Sequence, residues 1–137
     1  MEVETRSPEE TREFAAQLAR KLQVGDVVLL FGDLGAGKTT FVQGLARGLG
    51  VPEECYVQSP TFALINEYPG SVPLFHVDLY RLEPEDVYDL GLEELLERGI
   101  LVIEWSERLS FSFEKEFRVF LNILSPERRK IIVEEKR

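Results

Sequence analysis

Residues 32–39 constrain this chain more than any other stretch. They read Gly-Asp-Leu-Gly-Ala-Gly-Lys-Thr and fit the pattern G-x-x-x-x-G-K-[S/T]. Glycines in this pattern let the backbone wrap around an anion with N–H groups pointing inward, and the following helix start adds partial positive charge. The lysine can reach the β- and γ-phosphates of a nucleotide, and the threonine hydroxyl can bind Mg²⁺. The segment therefore predicts a phosphate-binding loop, whose contacts would come from Asp33, Leu34, Gly35, Ala36, Gly37, Lys38, Thr39 and Thr40.

The segments on either side of this loop have the order that its chemistry requires. Residues 27–31 form a short uninterrupted apolar run, as expected of a buried parallel strand. Residues 40–49 place apolar side chains on one face of a helix. Strand, glycine loop and helix together predict a nucleotide-binding unit rather than a glycine-rich turn with a surface lysine.

Composition narrows the class of protein. At 137 residues, with 44% hydrophobic and 30% charged residues, the chain is expected to form a single globular domain over 1–137. Its net charge of −9 argues against tight binding to a nucleic-acid backbone, although it permits docking onto a basic surface. A single cysteine excludes an internal disulfide, and no apolar run approaches a membrane span, so a cytoplasmic location is expected.

The first predicted helix begins at Ser7. This serine is a candidate N-cap, Pro8 takes the first helical position and Glu10 completes a capping box. An apolar stripe then predicts a helix that packs on the core. Alternatively, the start of this helix lies beside a bound base, and Thr11 is then the candidate contact.

The remaining chain alternates strands and helices. Residues 63–78 predict a hairpin, 83–98 an acidic helical stretch interrupted at Gly91, 100–103 a buried strand, 105–109 a short helix or turn, and 117–134 a terminal antiparallel hairpin. This order predicts an α/β fold, a P-loop NTPase-like three-layer sandwich with a mixed, mainly parallel central sheet and a C-terminal antiparallel hairpin.

Two acids follow apolar runs and are candidates for the metal site. Asp78 ends the run 74–77, and Glu104 ends the run 100–103. Parallel strands bring their carboxyl ends to one edge of the sheet, where phosphate sites lie. Mg²⁺ takes a few oxygen ligands from protein and the rest from water and phosphate. Thr39 with one or both acids meets this need, and a spare carboxylate can orient the attacking water.

Other candidates have competing interpretations. Thr61 can sense the γ-phosphate through the metal, as in nucleotide-switch loops, or form an ordinary Ser-Pro-Thr turn. Arg81 can stabilise phosphoryl charge or pair with the acidic helix that follows.

For the next residues the pattern favours structural roles. His76, the only histidine, is expected to be packed and hydrogen-bonded rather than a catalytic base, and Trp105 to be half-buried packing. Arg128 and Arg129 in the last turn are expected to be solvated, with stacking on adenine as the alternative.

Taken together, the motifs resemble one family. The chain is similar to TsaE proteins, also called YjeE, from its first helix to its last hairpin. The H-x-D-x-Y-R and E-W segments make the resemblance specific, since the phosphate-binding loop alone is shared by many families. The matching segments are residues 32–41, Ser59-Pro60-Thr61-Phe62, His76-x-Asp78-x-Tyr80-Arg81 and Ile103-Glu104-Trp105.

The resemblance implies a bacterial ATPase of tRNA threonylcarbamoyladenosine synthesis that uses ATP and Mg²⁺. Its protein partner would be the TsaB–TsaD complex, and it would contact tRNA only indirectly. ATP hydrolysis would be weak without these partners. Lys38 would hold phosphates, Thr39 with Glu104 would bind Mg²⁺, and Asp78 would be a further metal or water-orienting residue. Thr61 would belong to a switch-like loop.

Three other functions compete with this one. A small-molecule kinase needs an acceptor pocket and a mobile lid, for which 137 residues leave little room. A GTPase switch needs N-K-x-D and D-x-x-G segments, which the sequence lacks. A nucleotide-dependent scaffold without enzymatic activity is the remaining alternative.

Overall fold

A single mixed β-sheet runs through the fold. The computed structural model describes residues 1–33, 35–55, 57, 65–80, 82–109 and 111–136, and in this part seven strands join the sheet. The strands are β1 (Glu2–Thr5), β2 (Val27–Phe31), β3 (Ile65–Tyr68), β4 (Leu74–Asp78), β5 (Ile100–Glu104), β6 (Glu116–Ile123) and β7 (Arg129–Lys136). Their order across the sheet is β1-β7-β6-β2-β5-β4-β3.

The centre of the sheet is parallel and both edges are antiparallel. Strand β2 pairs in parallel with β5 and β6, and β4 pairs in parallel with β5. The pairs β1–β7, β6–β7 and β3–β4 are antiparallel, which confirms the two predicted hairpins. The predicted α/β sandwich with a C-terminal hairpin is therefore confirmed. The carboxyl ends of five strands, β1, β2, β4, β5 and β6, reach the same edge.

Helices cover both faces of this sheet. Helices α1 (Pro8–Ala19) and α2 (Lys38–Gly48) pack on one face, and α3 (Leu92–Leu96) lies on the other. Strand β2 alternates between the two cores: Val28 and Leu30 belong to the α1–α2 side, and Val27 and Leu29 to the opposite side. All four side chains are at most 3% exposed, as a strand covered on both faces requires.

Two glycines bring α1 and α2 into backbone contact. A Cβ atom on Gly44 would lie 2.4 Å from the Arg12 carbonyl oxygen, and one on Gly48 would lie 2.4 Å from the Ala16 carbonyl oxygen. Any side chain at these positions would push the helices apart. This packing holds α2, and with it the loop that precedes it, against the sheet.

The predicted start of α1 is confirmed, with one difference in its cap. Ser7 Oγ accepts a hydrogen bond from the Glu10 backbone N–H at 3.1 Å. The Glu10 carboxylate accepts from the Arg6 N–H at 3.0 Å, one residue before the position that a capping box uses. Residues 2–5 were not predicted as a strand; this short acidic segment pairs with β7 at the sheet edge.

The helical stretch predicted over 83–98 is interrupted at Gly91, as expected from the sequence. Residues Pro84–Leu90 form a 3₁₀ helix, and α3 begins only after Gly91. Gly91 has φ +68°, a left-handed conformation that interrupts a right-handed helix. The predicted short helix after β5 is confirmed as a 3₁₀ turn over Ser106–Arg108.

Among the described residues, none of the helices has both the length and the apolar character needed to cross a membrane.

Candidate nucleotide site

Glycines shape the loop between β2 and α2. Gly35 and Gly37 have φ values of +81° and +101°, which side-chain-bearing residues rarely adopt. Gly32 is required for a different reason, because a Cβ atom there would lie 2.9 Å from the Leu121 carbonyl oxygen and 3.0 Å from Ala36 Cβ. Each glycine of the motif thus meets a physical requirement of the loop. Leu34 lies outside the described residues.

The amino end of α2 has no side-chain cap. Gly37 is the N-cap residue. The Phe41 backbone N–H donates the first hydrogen bond of the helix, to the Gly37 carbonyl oxygen at 2.9 Å. The first N–H groups of an α-helix have no carbonyl one turn earlier to bond to, so a helix start of this kind suits an acceptor from outside the helix. No acidic residue lies in the first turn to balance the positive end of the helix dipole. Such a helix start favours an anion.

Lys38 is a buried cation at this helix start. The residue is 5% exposed, its Nζ donates to the Gly32 carbonyl oxygen at 2.9 Å, and it lies 3.6 Å from the centroid of the Trp105 ring. Within the described part of the chain, no carboxylate forms an ion pair with it. Buried charges are normally paired, so a site for phosphate beside this ammonium group fits the chemistry.

Trp105 reaches Lys38 because the chain turns sharply after β5. Its backbone has φ +59° and ψ +44°, and it is the only non-glycine residue with positive φ among those described. The ring is half-buried, as predicted, and lies 4.8 Å from the Tyr80 ring. Its contact with the Lys38 ammonium, a cation–π interaction, was not predicted.

Asp78 and Glu104 lie side by side at the sheet edge. They are register partners at the ends of parallel β4 and β5, so both side chains start on the same face as α2. Glu104 is 3% exposed, whereas Asp78 is half-buried. The predicted convergence of the two acids is confirmed by this register.

His76 holds the Glu104 carboxylate. The histidine is fully buried, and its Nε2 lies 2.5 Å from Glu104 Oε2. An ionised carboxylate only accepts hydrogen bonds, so Nε2 carries the proton. Nδ1 has no hydrogen-bond partner among the described residues. The prediction of a packed, hydrogen-bonded histidine is confirmed, and the two-residue spacing from Asp78 is the signal that places both on one strand face.

Burial raises the pKa of Asp78 above its ordinary value of 3.8. The backbone N–H of Tyr80 opposes this shift by donating to Asp78 Oδ1 at 2.9 Å, while the negative charge of Glu104 adds to it. His76 and Lys38 favour the charged form more weakly. The charge of Glu104 thus disfavours ionisation of Asp78, and a cation bound between the two acids would favour it.

Asp78→Asn is expected to stabilise the protein without nucleotide at pH 7, because the amide keeps the oxygen that accepts from Tyr80 and removes a disfavoured charge. Since the folded pKa is raised, the stability that Asp78 contributes is fully present below pH 3.8 and is lost as pH rises through the folded value. The two proteins should thus be equally stable in acid and diverge as pH rises. Denaturant unfolding across this range measures the difference; a variant less stable than wild type at pH 7 would contradict it.

Arg129 was predicted to be solvated, and that prediction was wrong. Its guanidinium group donates to the carbonyl oxygens of Ala36 at 2.8 Å and Gly35 at 3.0 Å. The strand order explains the contact, because β7 begins at the edge where β2 ends. Arg128 is exposed as predicted and pairs with Glu4 at 3.0 Å.

The predicted base contact of Thr11 does not fit the structure. Thr11 is 2% exposed, and its hydroxyl lies 2.7 Å from the Thr5 hydroxyl. This pair packs α1 against β1, so the side chain has no surface to offer to a base. The alternative prediction, a packing helix, is the one that the structure supports.

The remaining candidates divide between described and undescribed positions. Thr39 follows Lys38 in the first turn of α2, close in sequence to the loop. Thr61 and Arg81 lie outside the described residues. Among the residues described, no three His, Cys, Asp or Glu side chains form a metal-binding group. A magnesium ion here would therefore depend on phosphate and water oxygens in addition to Thr39, Glu104 and Asp78, as is usual for this ion.

Comparison with known proteins gives a consistent family. The family model described as Threonylcarbamoyl adenosine biosynthesis protein TsaE matches residues 5–131. Proteins named tRNA threonylcarbamoyladenosine biosynthesis protein TsaE are similar to the chain. The one from Nostoc is 50% identical over 119 residues, covering 82% of this chain and 72% of the relative. The one from Treponema pallidum is 42% identical over 132 residues, covering 94% and 96%.

A solved structure agrees with the sequence comparisons. The crystal structure of Bacillus subtilis YdiB superposes with a TM-score of 0.73 at 34% sequence identity, covering 96% of this chain and 82% of that one. The similarity thus extends over the whole sheet and both helix layers. With the phosphate-binding loop, the paired acids and these matches, the chain belongs to the TsaE family.

Proposed function

We propose that this chain binds ATP with Mg²⁺ and hydrolyses it as the ATPase of tRNA threonylcarbamoyladenosine synthesis, acting with TsaB–TsaD to support turnover of threonylcarbamoyl transfer. The observation that carries the proposal is the buried ammonium group of Lys38, which forms no ion pair among the described residues and lies at a helix start without a side-chain cap. Family membership supports the place in tRNA modification.

The loop and Lys38 would bind the phosphates. The backbone N–H groups at the start of a helix such as α2 can donate to phosphate oxygens, and Lys38 Nζ adds a full charge. Lys38 would exchange its bond to the Gly32 carbonyl for a phosphate oxygen, a stronger acceptor because it is charged. The contact with Trp105 would keep the ammonium group near the loop while no nucleotide is bound.

The acids and Thr39 would hold the metal. When bound, Mg²⁺ neutralises charge on the β- and γ-phosphate oxygens. Glu104 would be a ligand whose orientation His76 fixes through the 2.5 Å hydrogen bond. Asp78 would be a second ligand or would orient the attacking water. Thr61, outside the described residues, would belong to the loop that responds to the γ-phosphate.

Partners would supply the rest of the machinery. The net charge of −9 disfavours direct binding of tRNA by this chain, so contact with tRNA would be indirect. The same charge favours docking onto a basic protein surface. A chain that binds protein partners and leaves tRNA binding to them fits an ATPase with a low hydrolysis rate alone and a higher rate in the assembly.

The test is steady-state ATP hydrolysis by the chain alone, with TsaB–TsaD, and with TsaB–TsaD and substrate tRNA. We expect a low rate alone and a clear rise in the complex. Equal rates in all three mixtures would contradict the coupling to partners. Transfer of phosphate to a metabolite in place of release as inorganic phosphate would favour the kinase alternative.

A further inference from the structure

Arg129 joins the last hairpin to the phosphate-binding loop. The residue opens β7, directly after the turn 125–128. On the loop side, Nε donates to the Ala36 carbonyl at 2.8 Å and Nη2 donates to the Gly35 carbonyl at 3.0 Å. On the hairpin side, Nη1 donates to the carbonyls of Ser125 at 2.8 Å and Arg128 at 2.9 Å, with a longer bond to Pro126 at 3.3 Å. One planar group thus connects segments 93 residues apart.

These bonds set the direction of backbone N–H groups in the loop. In a trans peptide the C=O and the next N–H point in opposite directions within one plane. By holding the Gly35 and Ala36 carbonyls, Arg129 also aims the N–H groups of Ala36 and Gly37. The Ala36 N–H closes a turn onto the Asp33 carbonyl at 2.9 Å. The Gly37 N–H is left at the helix start, where an anion is expected.

The loop needs such support, because Gly35 and Gly37 are the residues with the greatest backbone freedom. Both are held in left-handed conformations, and a Cβ atom on Gly35 would meet no atom within 4 Å. Packing therefore does not fix the backbone at Gly35. The carbonyls of Gly35 and Ala36 are held by the fork of the Arg129 guanidinium, beside the turn bond from the Ala36 N–H to the Asp33 carbonyl, and guanidinium geometry suits two adjacent carbonyl oxygens.

The guanidinium charge is also left uncompensated. No carboxylate pairs with Arg129 in the described ranges, whereas the neighbouring Arg128 pairs with Glu4. Because guanidinium is always protonated, a positive charge stands behind the loop in every state of the protein. That charge adds to the positive potential that attracts an anion to the N–H groups of the loop.

We propose that Arg129 is a positioning residue that preorganises residues 35–37 for phosphate before any nucleotide binds. The proposal rests on the proposed nucleotide function for its effect on ATP, but not for its effect on the loop itself. Ordering a flexible loop on binding reduces affinity, so loss of the fork should weaken ATP binding without touching the phosphates directly.

The experiment compares Arg129→Lys with the matched variant Arg128→Lys. Lysine keeps the charge but cannot hold two carbonyls in one plane. Without nucleotide, amide hydrogen exchange of residues 35–38 should become about tenfold faster in Arg129→Lys. Exchange in β2 and β5 should stay unchanged, and so should the midpoint of thermal unfolding. ATP affinity, followed by the fluorescence of the single tryptophan, Trp105, should fall about tenfold. Arg128→Lys should match wild type in both measurements.

The outcomes separate the two proposals. Wild-type exchange and ATP affinity in Arg129→Lys would overturn the positioning role. Faster exchange throughout the sheet with a lower midpoint would also overturn it, since Arg129 would then only stabilise the fold. Faster exchange confined to 35–38, with no ATP binding even by wild type, would support the role of Arg129 and overturn the proposed ATPase function.

Discussion

Lys38→Ala should weaken ATP binding by at least about a hundredfold while leaving the fold intact. The lysine is 5% exposed, and it forms no ion pair with a carboxylate among the described residues. A charge-assisted hydrogen bond to phosphate in such a place contributes about 3 kcal/mol, which corresponds to a factor of roughly a hundred in affinity. Alanine is the best helix former, so the first turn of α2 should persist.

Calorimetric titration with MgATP measures this loss, and thermal unfolding without nucleotide checks the fold. Lys21→Ala is the matched control, because it removes an exposed lysine just after α1 and away from the loop. The control should bind ATP as wild type does. Near-normal ATP binding by Lys38→Ala, or full multi-turnover tRNA modification with this variant, would contradict the assignment of Lys38 to the nucleotide site.

For Glu104→Gln we expect ATP hydrolysis by the assembled complex to fall by roughly a hundredfold or more, the scale seen when a charge-stabilising or acid–base group is removed. The amide oxygen of glutamine can still accept from His76 Nε2, so the buried pair should keep its hydrogen bond. The variant loses the negative charge that a Mg²⁺ ligand needs. ATP binding measured without Mg²⁺ should therefore be retained, while the gain in affinity from added Mg²⁺ should shrink.

Asp78→Asn in the same assays divides the roles of the two acids. A smaller loss of hydrolysis than in Glu104→Gln, with the Mg²⁺ gain retained, would make Asp78 the residue that orients water. Equal losses of hydrolysis and of the Mg²⁺ gain would make both acids ligands. Full activity of the complex with Glu104→Gln would contradict the hydrolysis site and favour the scaffold alternative.

Local patterns explain which features could be predicted. The phosphate-binding loop depends on residue types at fixed spacing, and its flanking strand and helix are read from the periodicity of apolar residues. Asp78 and Glu104 were predicted together because both end apolar runs, and parallel strands share an edge. The interruption at Gly91 was predicted from the glycine itself, whereas the 3₁₀ geometry of Pro84–Leu90 was not, because the acidic and apolar spacing there also fits an α-helix.

By itself, then, the sequence determined the α/β class, the loop, the two acids and the family resemblance, because each depends on short segments or on their order. Tertiary structure alone decided three contacts: Arg129 with the loop carbonyls, His76 with Glu104, and Trp105 with Lys38. These partners are far apart in the chain, and no local period relates them. They meet because the strand order brings the carboxyl ends of β2, β4 and β5 and the start of β7 to one edge of the sheet.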